Sequence, residues 1–255
     1  MIYYDLFLAW CYTILQAGIS TIFSIILALP LVHFLSQYTF WGKKFLFSLL
    51  AFFCIMPTKL CALSIKLFYG LQGFPAIISA HVLLNFPFAF YLLHTAYQKI
   101  DWLIVWAAAD LGASPRQQYK DGLIPQLKPA LILTSLTIFL LCFSSFSIPQ
   151  MLGTHIYHYT PDVLLFYNNG KSIAWICFLL RLLVMIPLGI LYHYLLDTRP
   201  YTSPAHVRYK KTVLVFNFRK VKWSCYLFII IFLLIGPLIS LLINAMQHDT
   251  FNYLY

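Results

Sequence analysis

Six apolar runs, each long enough to cross a bilayer, limit what this chain can fold into. They lie at about 6–36, 45–68, 75–97, 127–150, 173–196 and 224–246. A helical span needs about 20 apolar residues. In hydrocarbon every backbone N–H and C=O must find a partner inside the protein, so each run is expected to be a helix. With 62% hydrophobic and 9% charged residues over 255 positions, a water-soluble domain could not hide the apolar surface. The expected fold class is therefore all-α, a polytopic membrane protein with about six transmembrane helices.

The formal charge of +10 invites a nucleic-acid reading, but the placement of the charges argues against one. Lys43 and Lys44 follow the first run. Lys99, Arg116, Lys120 and Lys128 lie between the third and fourth. Arg199, Arg208, Lys210, Lys211, Arg219, Lys220 and Lys222 lie between the fifth and sixth. If the chain alternates, these thirteen of seventeen basic residues share one side, and of the rest only Lys171 lies in a loop on the other. Basic loops stay in the cytoplasm, so the 98–126 loop is expected inside and the N-terminus outside. Lys59, Lys66 and Arg181 fall within apolar runs. The six cysteines also lie in apolar runs without a C-x-x-C pair, which favours small packing residues over metal or redox use. The first residues lack a basic n-region, so no cleavable signal is expected.

One stretch between the apolar runs is polar and patterned, from Trp106 through Ala107, Ala108, Asp110, Leu111, Gly112, Ser114, Pro115 and Arg116 to Gly122, Ile124 and Pro125. It reads as two short helices broken at Gly112. Ala107, Ala108 and Leu111 share one face of the first. Ser114 suits the cap of the second, with Pro115 at its first position and Ile124-Pro125 at its end.

This stretch resembles the "EAA" loop of permease subunits of binding-protein-dependent ABC transporters: Glu-Ala-Ala, three residues, Gly, nine residues, Ile, one residue, Leu-Pro. Ala107, Ala108, Gly112 and Ile124-Pro125 match, whereas Trp106 stands for the Glu and Gly122 for the Ile. The chain has seven Asp and no Glu, so Asp110 is the nearest acidic residue to the missing one. The resemblance implies that loop 103–125 is cytoplasmic and docks into a groove of a separate ATPase. On that reading the alanines permit close approach and the glycine makes the bend. The bland alternative is an amphipathic loop between two spans.

Other stretches sharpen the likeness. In the first run, small residues at 17, 18, 20, 21, 24 and 28 precede Leu29-Pro30, as in the first core helix of the permease fold. Tyr69-Gly70-Leu71-Gln72-Gly73, then Ala80-His81-Val82-Leu83-Leu84-Asn85-Phe86-Pro87, resembles the first half of the thiamine ABC transporter permease, with ferric-iron permeases next. Leu141-Cys142-Phe143-Ser144-Ser145-Phe146 looks like the same family. Lys59 costs about 2.5–3.5 kcal/mol in hydrocarbon and is expected to face the bundle interior or water, while Lys66 snorkels to the outer end. Lys59, His81, Asn85, Ser144 and Ser145 are the candidates for a translocation path. Helix-to-helix hydrogen bonding is the competing role for the polar ones.

The outer segment 151–172 carries His155, Tyr157, His158, Tyr159 and Asp162; a metal site there is disfavoured because no clear helix orients the ligands. Gly170-Lys171-Ser172 resembles the end of a P-loop, but position 165 is Leu and the segment is external, so nucleotide binding is rejected. No catalytic, cofactor or metal site is expected in the chain, and ATP belongs to the partner ATPase. Segment 198–223 reads as a basic cytoplasmic linker beside anionic lipid.

The resemblance covers 6–197, a five-helix core of the MetI-like permease type. Helix 224–246 looks like the start of a second repeat. The fused thiamine permease has two cores, each with a helix before it, so this chain reads as split, truncated or half-size and dimerising. The implied partners are an ABC ATPase dimer, a second permease core, a periplasmic solute-binding protein and the lipid of a bacterial inner membrane. Thiamine, an aromatic cation, could use stacking and cation–π contacts. The alternatives are a ferric-iron permease, a non-transporting remnant or a polytopic membrane enzyme. The last is least favoured, because His81 and His94 lie on opposite halves of one span.

Overall fold

The computed structural model describes residues 2–154, 160–161, 163, 171–197, 212–213 and 221–246. The long helices are α1 (Ile2–Gln37), α4 (Phe74–Gln98), α7 (Ile124–Phe143), α9 (Lys171–Asp197) and α10 (Val221–Met246). Between them lie β1 (Tyr38–Thr39), α2 (Lys43–Ile55), α3 (Thr58–Tyr69), α5 (Trp102–Asp110), α6 (Pro115–Gln117), a π-helical turn Gln118–Leu123, α8 (Ser147–Leu152) and β2 (Thr212–Val213). Among the described residues four helices are long and apolar enough to cross a membrane, or five if α2 and α3 form one span.

The path of the chain settles the α2–α3 question. Tyr12, early in α1, stacks edge-on against Phe74 at the start of α4, with ring centroids 5.7 Å apart. His33, late in α1, lies 3.0 Å from the hydroxyl of Tyr97 at the far end of α4. The two helices therefore run parallel, and whatever joins them must return across the bundle. α2 and α3 do so as one span bent by 110°. The run at 45–68, expected as one helical span, is broken at Met56-Pro57. Met56 precedes a proline and is pushed into the extended region, with φ −61° and ψ 130°.

α4 sits at the centre, with α1, α2, α3, α7 and α8 packed around it. α1 meets the bundle through a ladder of small residues: Ala17, Ser20, Thr21, Ser24 and Ala28 are all buried. The Thr21 and Ser24 hydroxyls donate to the carbonyls of Ala17 and Ser20 one turn back, at 2.7 and 2.8 Å, which leaves a smooth surface for α4. Gly18 faces open space instead and makes no close contact.

α7 returns antiparallel to α1, since Trp10, early in α1, packs at a tilt against Phe143 at the end of α7, with ring centroids 5.6 Å apart. Arg181 of α9 lies over the same Phe143 ring at 5.8 Å. α10 starts beside the middle of α1, where the Tyr226 hydroxyl donates to the Leu27 carbonyl. It continues past Phe68 of α3, whose ring is 5.7 Å from Phe232. Two sequence boundaries change. The run at 127–150 ends as a helix at Phe143, and α8 follows as a separate short helix. Ile124-Pro125 does not end the second loop helix, because the helical stretch runs unbroken from Pro115 to Phe143. Pro125 occupies the first turn of α7, where proline is tolerated.

These contacts place the α1–α2 turn and the 99–125 loop at one end of the bundle, here called the loop end. Tyr38 and Thr39 pair in parallel with Thr212 and Val213, so part of the 198–223 segment reaches the same end. Linker residues 221–223 begin α10, while 198–211 and 214–220, and His155, Tyr157, His158, Tyr159 and Asp162, lie outside the described residues.

Candidate functional site: the loop between α4 and α7

The loop is built by local chemistry. Asp101 caps α5, its carboxylate accepting the Leu103 N–H at 3.0 Å. At the other end of α5, Gly112 takes φ +85°, a conformation that disfavours side chains. The Gly112 N–H donates to Ala109 at 2.9 Å and the Ala113 N–H to Ala108 at 3.0 Å. Those two bonds form a Schellman end, so the expected break at Gly112 has a defined geometry. Ser114 then caps α6 in a full capping box: its Oγ accepts the Gln117 N–H at 3.4 Å, and Gln117 Oε1 accepts the Ser114 N–H at 2.8 Å.

Two tertiary devices hold the two loop helices together. Gly122 in the π-helical turn backs onto Val105 of α5 so closely that a Cβ there would sit 3.2 Å from Val105 Cγ2. Gln126 grips both backbone groups of Asp101. Its Oε1 accepts the Asp101 N–H at 2.8 Å, while its Nε2 donates to Asp101 O at 3.2 Å and to Gly122 O at 2.9 Å. Neither device was identified in the sequence. Gly122 is visible there only as a departure from the EAA pattern.

With Trp102 and Val105 turned inward, the outer face of α5 is apolar and open. Leu103 is 44% exposed, Ile104 48% and Leu111 89%, with Ala107 exposed between them. Ala108 is half-buried, while Asp110, Ser114, Pro115, Ile124 and Pro125 are exposed. Lys44, Lys99, Arg116, Lys120 and Lys128 are exposed at or near the same end. Lys43 instead closes α1, its ammonium donating to the carbonyls of Leu35 and Tyr38.

The five candidate path residues are not gathered into one cavity. Lys59 is exposed in the first turn of α3, just past the bend. His81 is 2% exposed and its Nε2 has no hydrogen-bond partner. Asn85 is buried and donates to Cys142 Sγ at 3.1 Å, a helix-to-helix bond between α4 and α7. Ser144 and Ser145 stand in the break after α7, Ser144 exposed and bonded back to the Leu140 carbonyl. A cavity of about 330 Å³ opens elsewhere, between α1, α3, α4 and α10. Its walls, including Phe23, Leu27, Ile65, Val82, Phe86 and Leu234, are apolar nearly throughout. Among the described residues no three His, Cys, Asp or Glu side chains come together as metal ligands. Cys61 and Cys142 are buried, whereas Cys11 and Cys54 lie exposed on outward faces of their helices rather than inside the bundle.

No protein-family model matches the chain. Individual proteins do. A thiamine transport system permease of Haemophilus influenzae is 24% identical over 256 residues, covering 91% of this chain and 47% of that protein. A ferric transport system permease of Actinobacillus pleuropneumoniae is 27% identical over 195 residues, covering 66% and 28%. A homologue of the spermidine/putrescine permease in Mycoplasma pneumoniae is 25% identical over 165 residues, covering 62% and 57%. The chain spans less than two thirds of the length of each of these relatives. Its fold matches the MetNI methionine ABC transporter in an inward-facing form, with TM-score 0.55 and 16% identity, over 77% of this chain and 98% of the matched one. The relatives are transport permeases, which are not enzymes. The chain is thus similar in sequence to ABC transporter permeases, and its all-α membrane fold is of the MetI type.

Proposed function

We propose that this chain is one permease core of an ATP-driven importer for a small solute, and that loop 103–125 docks into a separate ATPase. The observation that carries the reading is the apolar stripe Leu103, Ile104, Ala107 and Leu111, left open at the loop end and finished by the Gly112 turn. An open apolar stripe on a short, rigidly capped helix marks an interaction surface. Lys44, Lys99, Arg116 and Lys120 favour the cytoplasm for that end by the positive-inside rule, with the N-terminus outside a bacterial inner membrane.

In this mechanism ATP is bound by the partner ATPase pair. Closure of the pair pushes the two loops of two permease cores and rocks the cores between inward- and outward-open forms. Such switching requires that ligands bind the two forms with different affinity. A periplasmic binding protein delivers solute to the outer face. The second core, another polypeptide or a second copy, supplies the opposite wall of the path, with Asn85, His81, Ser144, Ser145 and Lys59 as candidates on this side.

Thiamine is our leading substrate. The thiamine permease match extends over 91% of this chain, and the 69–87 and 141–146 stretches favour it. Relatives named for ferric iron, polyamine and sulfate define the competing solutes. The test is ATPase-dependent uptake of labelled thiamine in cells carrying this chain with a second core. Uptake that is present and lost in Gly112→Asp supports the reading. Uptake indifferent to Gly112→Asp removes the docking role, and uptake of another solute alone removes thiamine.

A further inference from the structure

We propose that His33, held between the hydroxyls of Tyr97 and Tyr119, is the positioning residue that ties the loop to the membrane helices, so that displacement of the loop moves α1 and α4 together. The proposal rests on the docking reading above and concerns how a push on the loop would reach the bundle.

Three elements meet at this imidazole, α1, α4 and the π-helical turn, and α5 joins them through Tyr97. His33 Nδ1 lies 3.0 Å from the Tyr97 hydroxyl of α4, and Nε2 lies 3.4 Å from the Tyr119 hydroxyl of the π-helical turn. The His33 ring meets Tyr97 edge-on at 6.0 Å and Tyr119 at 5.7 Å. Tyr97 in turn packs against Trp102, the first residue of α5, at 5.7 Å. Gln37, one turn beyond His33, donates to the Tyr97 hydroxyl at 3.5 Å. Both loop helices therefore reach α1 and α4 through one cluster: α5 by Trp102 and the π-helical turn by Tyr119.

The chemistry suits a tie rather than filler. A neutral imidazole has one donor and one acceptor nitrogen, and a tyrosine hydroxyl serves either role, so one tautomer satisfies both contacts. Tyr97 and Trp102 are 4% and 7% exposed, which fixes that side of the cluster in the core. Tyr119 is 42% exposed and belongs to the segment that would move. A π-type turn, with i→i+5 bonding, is wider than an α turn and is frequent at functional sites. Here the wider turn lets Tyr119 face α1 while Gly122 backs onto Val105.

The test is hydrogen exchange on the full chain in lipid nanodiscs, followed by coupling measurements with the ATPase of the same system. Tyr119→Phe deletes one hydroxyl and keeps the ring. It should speed exchange about fivefold, the size of one ordinary hydrogen bond, both in 118–123 and in the distant 94–99 end of α4. Tyr97→Phe should do the same in 118–123, and the double variant should add little, because either loss breaks the shared tie. In the assembled system Tyr97→Phe, which lies in α4 outside the docking loop, should leave ATPase co-purification intact but raise the ATP hydrolysed per solute moved. Exchange that changes only around the substituted residue, or an unchanged ATP-to-solute ratio, overturns the proposal. A wild-type chain that recruits no ATPase overturns the docking reading instead, and the exchange result then decides the tie alone.

Discussion

Replacing Gly122 with alanine tests how the loop is held in shape. The new Cβ would stand 3.2 Å from Val105 Cγ2 and 3.4 Å from Val105 Cα. Unstrained carbon contacts lie at about 3.5–4.0 Å, so α5 and the π-helical turn must part by at least about 0.3 Å. Val105 is only 7% exposed and Gln126 binds the same two segments, so the movement cannot be taken up freely. Overpacking of this kind costs about 1–2 kcal/mol, at the lower part of its usual range. That raises the population of locally opened loop by a factor of about 5–30.

Trypsin reads this population, because Arg116 and Lys120 are exposed within the loop and proteolysis follows the open fraction when reclosing is fast. Gly122→Ala should be nicked there about 5–30 times faster than the native chain. Val105→Ala in the same chain should restore much of the resistance, since it removes the Cγ2 that the new methyl meets. The double variant should therefore fall well below the product of the two single effects. Nicking of Gly122→Ala at the native rate, or strictly multiplicative effects in the double variant, would show that this contact does not hold α5.

Three further outcomes follow from the same geometry. Gln126→Leu removes three hydrogen bonds to the backbone of Asp101 and Gly122 and should weaken the loop by about 1–3 kcal/mol, seen as faster exchange of the Asp101 and Leu103 amides. Gly112→Ala meets no steric obstacle but must hold φ +85°, so it should cost about 1–2 kcal/mol in loop order and lower uptake less than Gly112→Asp does. At Gly236 a Cβ would fall 2.5 Å from Phe68 Cζ; Gly236→Ala should lower cross-linking between cysteines placed on α3 and α10, and Phe68→Ala should restore it.

What could be read in the sequence was what is local in the chain. The Gly112 break, the Ser114 cap and the Pro115 start each depend on neighbours within five residues, and each has the expected geometry. Apolar length and composition likewise sufficed for an all-α membrane fold. Boundaries inside apolar stretches were harder to see. Pro57 and Lys59 lie inside a run whose overall length and hydropathy still suit a single span, so a bend of 110° could not be read from them. Phe143 ends α7 just before Ser144-Ser145, small residues that a membrane helix also tolerates, so the end was not distinct in the sequence. Pro125 reads as a stop, yet proline is equally at home in a helix's first turn. Gln126, Val105 and His33 act through partners up to 86 residues away, and one sequence gives no means of pairing them. The path candidates show the converse: Asn85 is chemically conspicuous, but its amide is committed to Cys142 on α7.

A photo-crosslinking side chain in place of Leu111, which is 89% exposed at the tip of the loop, addresses the central claim most directly. Irradiated in membranes with the ATPase of the system, it should form one adduct with that ATPase, and nucleotide should change the yield. Adducts with lipid alone, or labelling of the same position by a reagent confined to the outer side of the cell, would contradict it.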